Sequence, residues 1–338
     1  MTLFAAGCGS STNDGSGSGD NAAPQTLKTV VGSPGVAHGL YYVAKQKGLF
    51  EKNGLTVEQV SGGVSNAAAL LVSGKADMLV GGTLFAVPLA TQGKDVSVVF
   101  NNSDYGLTFA SLVGQKGLTL KELRAKGSDC RIAVTGAGTI LYGWLLDVSK
   151  AYGLECENAT QDSLQGLTAA VASGAADAAV VLPEQAAALS KAGNAGMLID
   201  PLAMTAKQRA AAVPGTAYPS GAMLGMKKNL SAKSEAVTRY VRALKEASAV
   251  VHSSTPQELA EIVKKDPDFA QNPVESLAIG WTDLKARTPY GANAGRITEE
   301  GWRTSLTSMQ HWGLSDFSPD DPKLAYSAAV DMSYLDAS

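Results

Sequence analysis

The hydrophobic pattern is clearest between residues 27 and 60. A short apolar run from Leu27 to Val31 reads as a buried strand. It breaks at Gly32, Ser33, Pro34 and Gly35, residue types that favour turns. A helix follows, with Leu40, Val43, Ala44 and the stem of Lys47 on one face. Gly48 is its expected stop, because glycine tolerates a positive φ. Gly54 marks a tight turn, and LTVEQV (Leu55 to Val60) alternates as a second strand does. Strand, loop, helix, strand at this spacing is a βαβ unit, which builds a parallel sheet. The loop after the first strand then lies at the carboxyl edge of the sheet, where open α/β folds bind ligands.

The same pattern returns about a hundred residues later. ALLVSGKADMLV (Ala69 to Val80) resembles AAVASGAADAAV (Ala169 to Val180): a helix end, a Ser-Gly stop, an Ala-Asp turn at Asp77 or Asp177, and an apolar strand. Upstream, Arg131 to Thr135 is a strand, Gly136 to Thr139 a loop and Ile140 to Tyr152 a helix, and Gly153-Leu154 echoes Gly54-Leu55. Helix–Gly–strand joints occur in any α/β protein, but two matches in the same order point to two α/β lobes of similar plan.

The remaining pattern completes these lobes. Val96 to Asn101 is expected as a strand, and Leu107 to Val113 as another that crosses to the second lobe. Further strands are expected near Arg131, Glu157, Ala178 and Met197, and Ala217 to Met226 as the strand crossing back. The chain then turns helical. Ser231 to His252 carries Val237, Tyr240, Val241, Leu244, Ala247 and Val251 at helical spacing, with Ser231 as N-cap. Helices are also expected at Pro256 to Lys265, Pro273 to Leu284, Thr298 to Trp312 and Pro322 to Met332, packed on the first lobe's sheet. The expected organisation is a tether over residues 1–26, a first lobe of residues 27–108 plus 220–338, and a second lobe of residues 109–219.

Composition narrows the function classes. Charged residues are only 17% of the 338, and 28 basic side chains nearly balance 31 acidic ones. Neither nucleic acid nor an anionic membrane surface is an expected partner. No window approaches the roughly 18 apolar residues of a membrane span. The beginning is more telling. LFAAGC (Leu3 to Cys8) looks like the end of a bacterial lipoprotein signal, in which small residues precede the cysteine that takes lipid. The basic region and longer apolar core of a full signal are missing, so the start is read as trimmed or misassigned. GSSTNDGSGSGDN (Gly9 to Asn21) then reads as a flexible tether. Lipidation at Cys8 would anchor the chain to a membrane without a span; the alternative is a plain cysteine in a flexible tail.

YYVAKQKGLFEKNGLTVEQV (Tyr41 to Val60), ALLVSGKAD (Ala69 to Asp77), the AVTGAGT loop (Ala133 to Thr139) and KNLSAKSEAVTRYVRALKEA (Lys228 to Ala247) resemble the nitrate/sulfonate/taurine-type solute-binding proteins of ABC importers. The resemblance covers nearly the whole chain after the tether, through order and spacing more than any one motif. It implies a bilobed periplasmic-binding-protein-like fold of type II, with two crossover strands and a cleft that closes by hinge motion. It also implies delivery of a small-molecule solute to an ABC permease in the membrane. The same family includes pyrimidine-precursor synthases of thiamine biosynthesis, so fold alone leaves an enzyme open as the alternative.

Three cysteines are present. Cys130 and Cys156 each begin a strand of one βαβ unit; if those strands are neighbours, the Cα atoms can approach to roughly 5–6 Å. A disulfide is expected, outside the cytoplasm and with no catalytic role.

Candidate ligand contacts sit on loops at strand carboxyl ends. They are Ser33, Val36 and His38 after the first strand, and Gly82 and Thr83 before the helix that follows Val80. In the second lobe they are Gly138, Thr139 and Glu184. Tyr41 on the first helix, and Tyr105 and Tyr218 near the crossings, are candidate ring contacts; ordinary packing is the alternative for each. Thr83 and Thr139 could equally serve as helix caps, and His38 as a surface or capping residue. These loops contain no lysine or arginine, and Glu184 facing inward would oppose a simple anion. The reading therefore leans toward a neutral, zwitterionic or aromatic solute over nitrate or a sulfonate. No cofactor, metal site or catalytic constellation is expected, and nothing requires more than a monomer. An enzyme would need a reactive lysine or histidine in the cleft; Lys45 and Lys47 are expected to be solvated.

Overall fold

The computed structural model describes residues 25–32, 34–105, 110–137, 139–205, 207–208, 218–291, 294–313 and 316–338, with the side chains of Val64, Ser65 and Tyr105 excepted. The strands are β1 (Gln25–Val31), β2 (Leu55–Val60), β3 (Met78–Gly82), β4 (Val96–Tyr105), β5 (Ser111–Gln115), β6 (Arg131–Thr135), β7 (Glu157–Gln161), β8 (Ala178–Val181), β9 (Ala195–Ile199) and β10 (Tyr218–Met226). They form two five-stranded sheets, in the orders β2-β1-β3-β10-β4 and β7-β6-β8-β5-β9. Each sheet has three parallel strands, then an antiparallel strand that arrives from the other sheet's side of the chain, β10 in the first and β5 in the second. The internal repeat is thus a repeat of sheet plan, with β6, β7 and β8 in the places of β1, β2 and β3.

The Ala-Asp turn shared by the repeats has a specific job. Asp77 accepts the Lys28 N–H of β1 at 2.8 Å and the Lys233 ammonium at 2.7 Å. Asp177 accepts the Arg131 N–H of β6 at 2.9 Å and the Lys126 ammonium at 2.6 Å. In the second lobe the carboxylate pins the first residue of β6, and in the first lobe it pins Lys28 midway along β1, just before β3 pairs with it. The preceding glycines, Gly74 (φ 72°) and Gly174 (φ 78°), adopt the left-handed conformation that ends the helix before it.

The face expected of the long amphipathic helix is the one it buries: Val237, Tyr240, Val241, Leu244, Ala247 and Val251 are all at most 1% exposed. This helix, Ser234–Ser253, packs on the Gly39–Gln46 helix of the first βαβ unit, and Tyr240 stacks on Phe50 with ring centres 5.0 Å apart. Two expectations need correction. Ser231 is not its N-cap; it lies inside a separate short helix, Lys227–Ala232, and Lys233 is the joint. The continuous helix expected from Pro322 to Met332 is instead a 3-10 turn, Pro322–Leu324, and a short helix, Tyr326–Ala329. Val330 then bridges to Val98, and the Asp331 N–H bonds the Val98 carbonyl at 2.8 Å, so a requirement of β4's edge replaces the helical pattern. Part of the strand expected from Leu107 to Val113 lies outside the described residues, and β5 begins at Ser111.

Cys130 and Cys156 are joined by a disulfide with Cα atoms 4.6 Å apart. The parallel register that sets Arg131 against Glu157 places the residue before each strand opposite its partner.

Candidate functional site: the cleft between the lobes

The carboxyl ends of the parallel strands of both sheets face one another across a cleft of about 320 Å³, at the small end of the range for ligand pockets. From the first lobe come the turn after β1 (Pro34, Gly35, Ala37, His38) and the end of β3 with the helix behind it (Gly81, Gly82, Leu84, Phe85). From the second come the β6 loop (Thr135, Gly136, Thr139, Ile140), the β7 loop (Gln161, Asp162, Ser163, Leu164) and Leu182 after β8. Ser220 and Gly221 of the crossing strand β10 close the hinge side. The βαβ arrangement dictates this convergence, because every parallel strand delivers its outgoing loop to the same edge.

Local chemistry fixes several of these groups. The Thr139 hydroxyl accepts the Tyr142 N–H at 3.3 Å, capping the Ile140–Tyr152 helix, and also donates to the Gly136 carbonyl at 2.9 Å. Ser163 caps the Leu164–Ala172 helix, accepting the Gly166 N–H at 3.0 Å. His38 is partly exposed on the cleft, but its Nδ1 is sealed from solvent without a hydrogen-bond partner among the described residues. Burial lowers its pKa to about 4, so the ring is neutral at pH 7. Asp162 is exposed on the cleft wall, with no ion-pair partner among the described residues. It is the single charged side chain among the described residues that line the cleft.

Two contacts join the lobes on either side of the cleft. On one side, the helix Pro183–Lys191 of the second lobe packs against Val274–Arg287 of the first. Glu184 is buried there beneath Gly280, where a Cβ would come within 2.9 Å of its carboxylate. Burial drives the Glu184 pKa up to about 7; Asp283 adds to the rise, while its own N–H, Arg287 and the Val36 N–H of the first lobe oppose it. Lys191 and Glu275 pair at 3.2 Å along the same seam. On the other side, the Trp312 indole lies on Gly143, where a Cβ would meet the ring at 2.4 Å. Its Nε1 donates to Asp147 at 2.8 Å, and His311 Nε2 lies 3.1 Å from the other oxygen of that carboxylate.

Of the residues expected to contact ligand, His38, Gly82 and Thr139 line the cleft. Ser33 and Gly138 lie outside the described residues, as does the side chain of Tyr105. Val36 and Glu184 lie in the seam beside the cleft. Thr83 is buried as the first residue of its helix, with Gly82 at the cap position and its hydroxyl unpartnered among the described residues. Tyr41 does not reach the cleft: it is buried in the core between Tyr42 and Phe50, with its hydroxyl 3.4 Å from Gln59. Tyr218 lines a smaller neighbouring pocket with Asn101 and Asp104, and its ring lies 6.0 Å from that of Trp312. Cys8 precedes the described residues. The β7 loop and Phe85 were missed, although the repeat contained the signal: β7 ends the second βαβ unit, so its loop must reach the same edge as the others.

A family model described as NMT1/THI5 like matches residues 36–258. The chain belongs to the NMT1/THI5-like family. Its fold is that of periplasmic binding proteins. The ligand-binding component of an ABC-type import system from Staphylococcus aureus matches with TM-score 0.70 at 17% identity, covering 93% of this chain and 99% of that one. The periplasmic nitrate-binding protein NrtA from Synechocystis PCC 6803 matches with TM-score 0.69 at 16% identity, covering 93% and 88%. The periplasmic aliphatic sulphonate-binding protein SsuA from Escherichia coli matches with TM-score 0.61 at 17% identity, covering 86% and 87%. None of the curated proteins matches this NMT1/THI5-like chain.

Proposed function

We propose that this protein is an extracytoplasmic solute receptor, lipid-anchored at Cys8, that captures a small organic solute between its lobes and hands it to an ABC-type permease. The observation that carries this reading is the cleft itself. It is walled by strand-end loops of both sheets and flanked by two interlobe contacts, at Glu184 and at Trp312, that exist only when the lobes are together. Such a cleft sequesters a solute on closing and frees it on opening. The structural neighbours named for ABC import support the permease as partner. The polar run Gly9 to Asn21 would let the folded part, a first lobe of residues 27–108 plus 220–338 and a second of residues 109–219, move beneath its anchor. The chain works as a monomer, since the cleft is built within one copy.

Recovery of an unaltered compound would separate this reading from an enzyme of the pyrimidine-synthase kind. The described cleft lining includes His38 but no lysine or cysteine to act as a nucleophile. Two measurements test the reading together: fractionation of cells expressing the chain with and without Cys8→Ala, and radius of gyration with and without a solute extract. The account expects Cys8→Ala to leave the membrane fraction and the extract to contract the wild type. Membrane retention of Cys8→Ala would refute the anchor, and an unchanged radius would refute capture.

A further inference from the structure

Accepting the receptor reading, we infer that the cleft selects a non-anionic solute with an apolar body and an N–H-donating head, amine or amide, which meets Asp162. The apolar body is required by both walls: Phe85 on the first lobe faces a lining that includes Ile140, Leu164 and Leu182 on the second. The head follows from which polar groups are still unengaged. The Thr139 hydroxyl is engaged both as donor to Gly136 and as acceptor from Tyr142, the Ser163 hydroxyl accepts the Gly166 N–H and keeps its own proton to donate, and the Ser220 hydroxyl lies 3.4 Å from the Ser103 carbonyl. Three polar side chains of the lining have no hydrogen bond to the described residues: His38, Gln161 and Asp162.

Asp162 stays exposed on the cleft wall with the lobes in contact, so its carboxyl group acts on a solute through its field and its acceptor oxygens. A donor on the solute pairs with those oxygens, and a cationic donor adds attraction. An anion meets the opposite field. No lysine or arginine is among the described lining residues, so backbone amides would have to hold it against Asp162.

The test is isothermal titration near pH 6 with four single-ring probes of matched body: benzylamine, benzamide, benzoate and benzenesulfonate. The expected order places benzylamine and benzamide at least roughly thirtyfold tighter than either anion, a ratio set by the sign of the Asp162 field. Asp162→Asn should weaken benzylamine about tenfold and leave benzamide within about threefold, with an unchanged melting temperature because the residue is exposed. Tighter binding of either anion overturns the inference, as does an Asp162→Asn variant with unchanged benzylamine affinity, and so does failure of all four probes. None of these results touches the receptor reading, which stands or falls on whether the native protein holds and releases any solute.

Discussion

Burial of Glu184 between the lobes predicts that their contact is proton-linked. The carboxyl group belongs to the second lobe but is buried against Gly280 and the Val36 amide of the first. Its pKa stands near 7 in the closed form against 4.5 in water, and the largest cause is burial. A raised acid favours the closed form fully below pH 4.5, and that advantage is lost as pH rises through 7. The charged groups facing it from the Val274–Arg287 helix act in opposite directions, Asp283 raising the pKa and Arg287 lowering it. These two are themselves paired at 2.9 Å, and both are buried. The neutral His38 follows on the same turn as Val36, and Lys191 lies on Glu184's own helix, paired with Glu275. The shift is worth about 3 kcal/mol between its two limits, which corresponds to a closure equilibrium weakened by roughly ten- to hundredfold between pH 5 and pH 8. Glu184→Gln keeps the shape and removes the charge. The assay is urea unfolding with scattering of the folded form at both pH values. The wild type should lose stability or expand at pH 8 relative to pH 5, and Glu184→Gln should do neither over that interval. Parallel pH profiles for the two proteins would refute the reasoning.

The other predictions follow from the same contacts. Gly280→Val forces a branched side chain into the space of the Glu184 carboxylate, so the variant should fold but scatter as a more open molecule at every pH; an unchanged radius of gyration would count against the seam. Trp312→Phe removes the indole donor to buried Asp147 and should cost about 1–3 kcal/mol of stability, measured by denaturant unfolding. Asp77→Ala should free the Lys28 N–H of β1 and lower stability by a similar amount, about 1–3 kcal/mol, with little effect on ligand affinity because the clip is not part of the cleft lining. Reducing the Cys130–Cys156 bridge should cost about 3 kcal/mol in the chain-entropy model, and thiol titration of the unreduced protein should find neither cysteine free.

Much of the fold was legible because backbone periodicity is local. The run from β1 to β2 and the Ala-Asp repeat identify strands and their partners without any knowledge of packing, and the disulfide follows from parallel neighbours. What sequence could not give was the choice among faces. Tyr41 and His38 lie three residues apart on the same stretch, yet one is consumed by the aromatic core around Phe50 and the other reaches the cleft. The sequence places Glu184 as an acid near the rim, but its burial depends on Gly280, almost a hundred residues away, lacking a side chain. The Trp312–Asp147 contact likewise joins residues far apart in the chain. The β7 loop was recoverable: applying the repeat to the end of the second βαβ unit places Gln161, Asp162 and Ser163 opposite His38.

The central claim is that one small molecule is trapped between the lobes and released as it was caught. Native mass spectrometry of protein purified without denaturation, followed by acid release and identification of the bound compound, measures this directly. The account predicts a stoichiometric, non-anionic organic solute that rebinds unchanged to the emptied protein and contracts it. A compound recovered chemically altered after rebinding, or a protein that carries none and contracts with none, would contradict it.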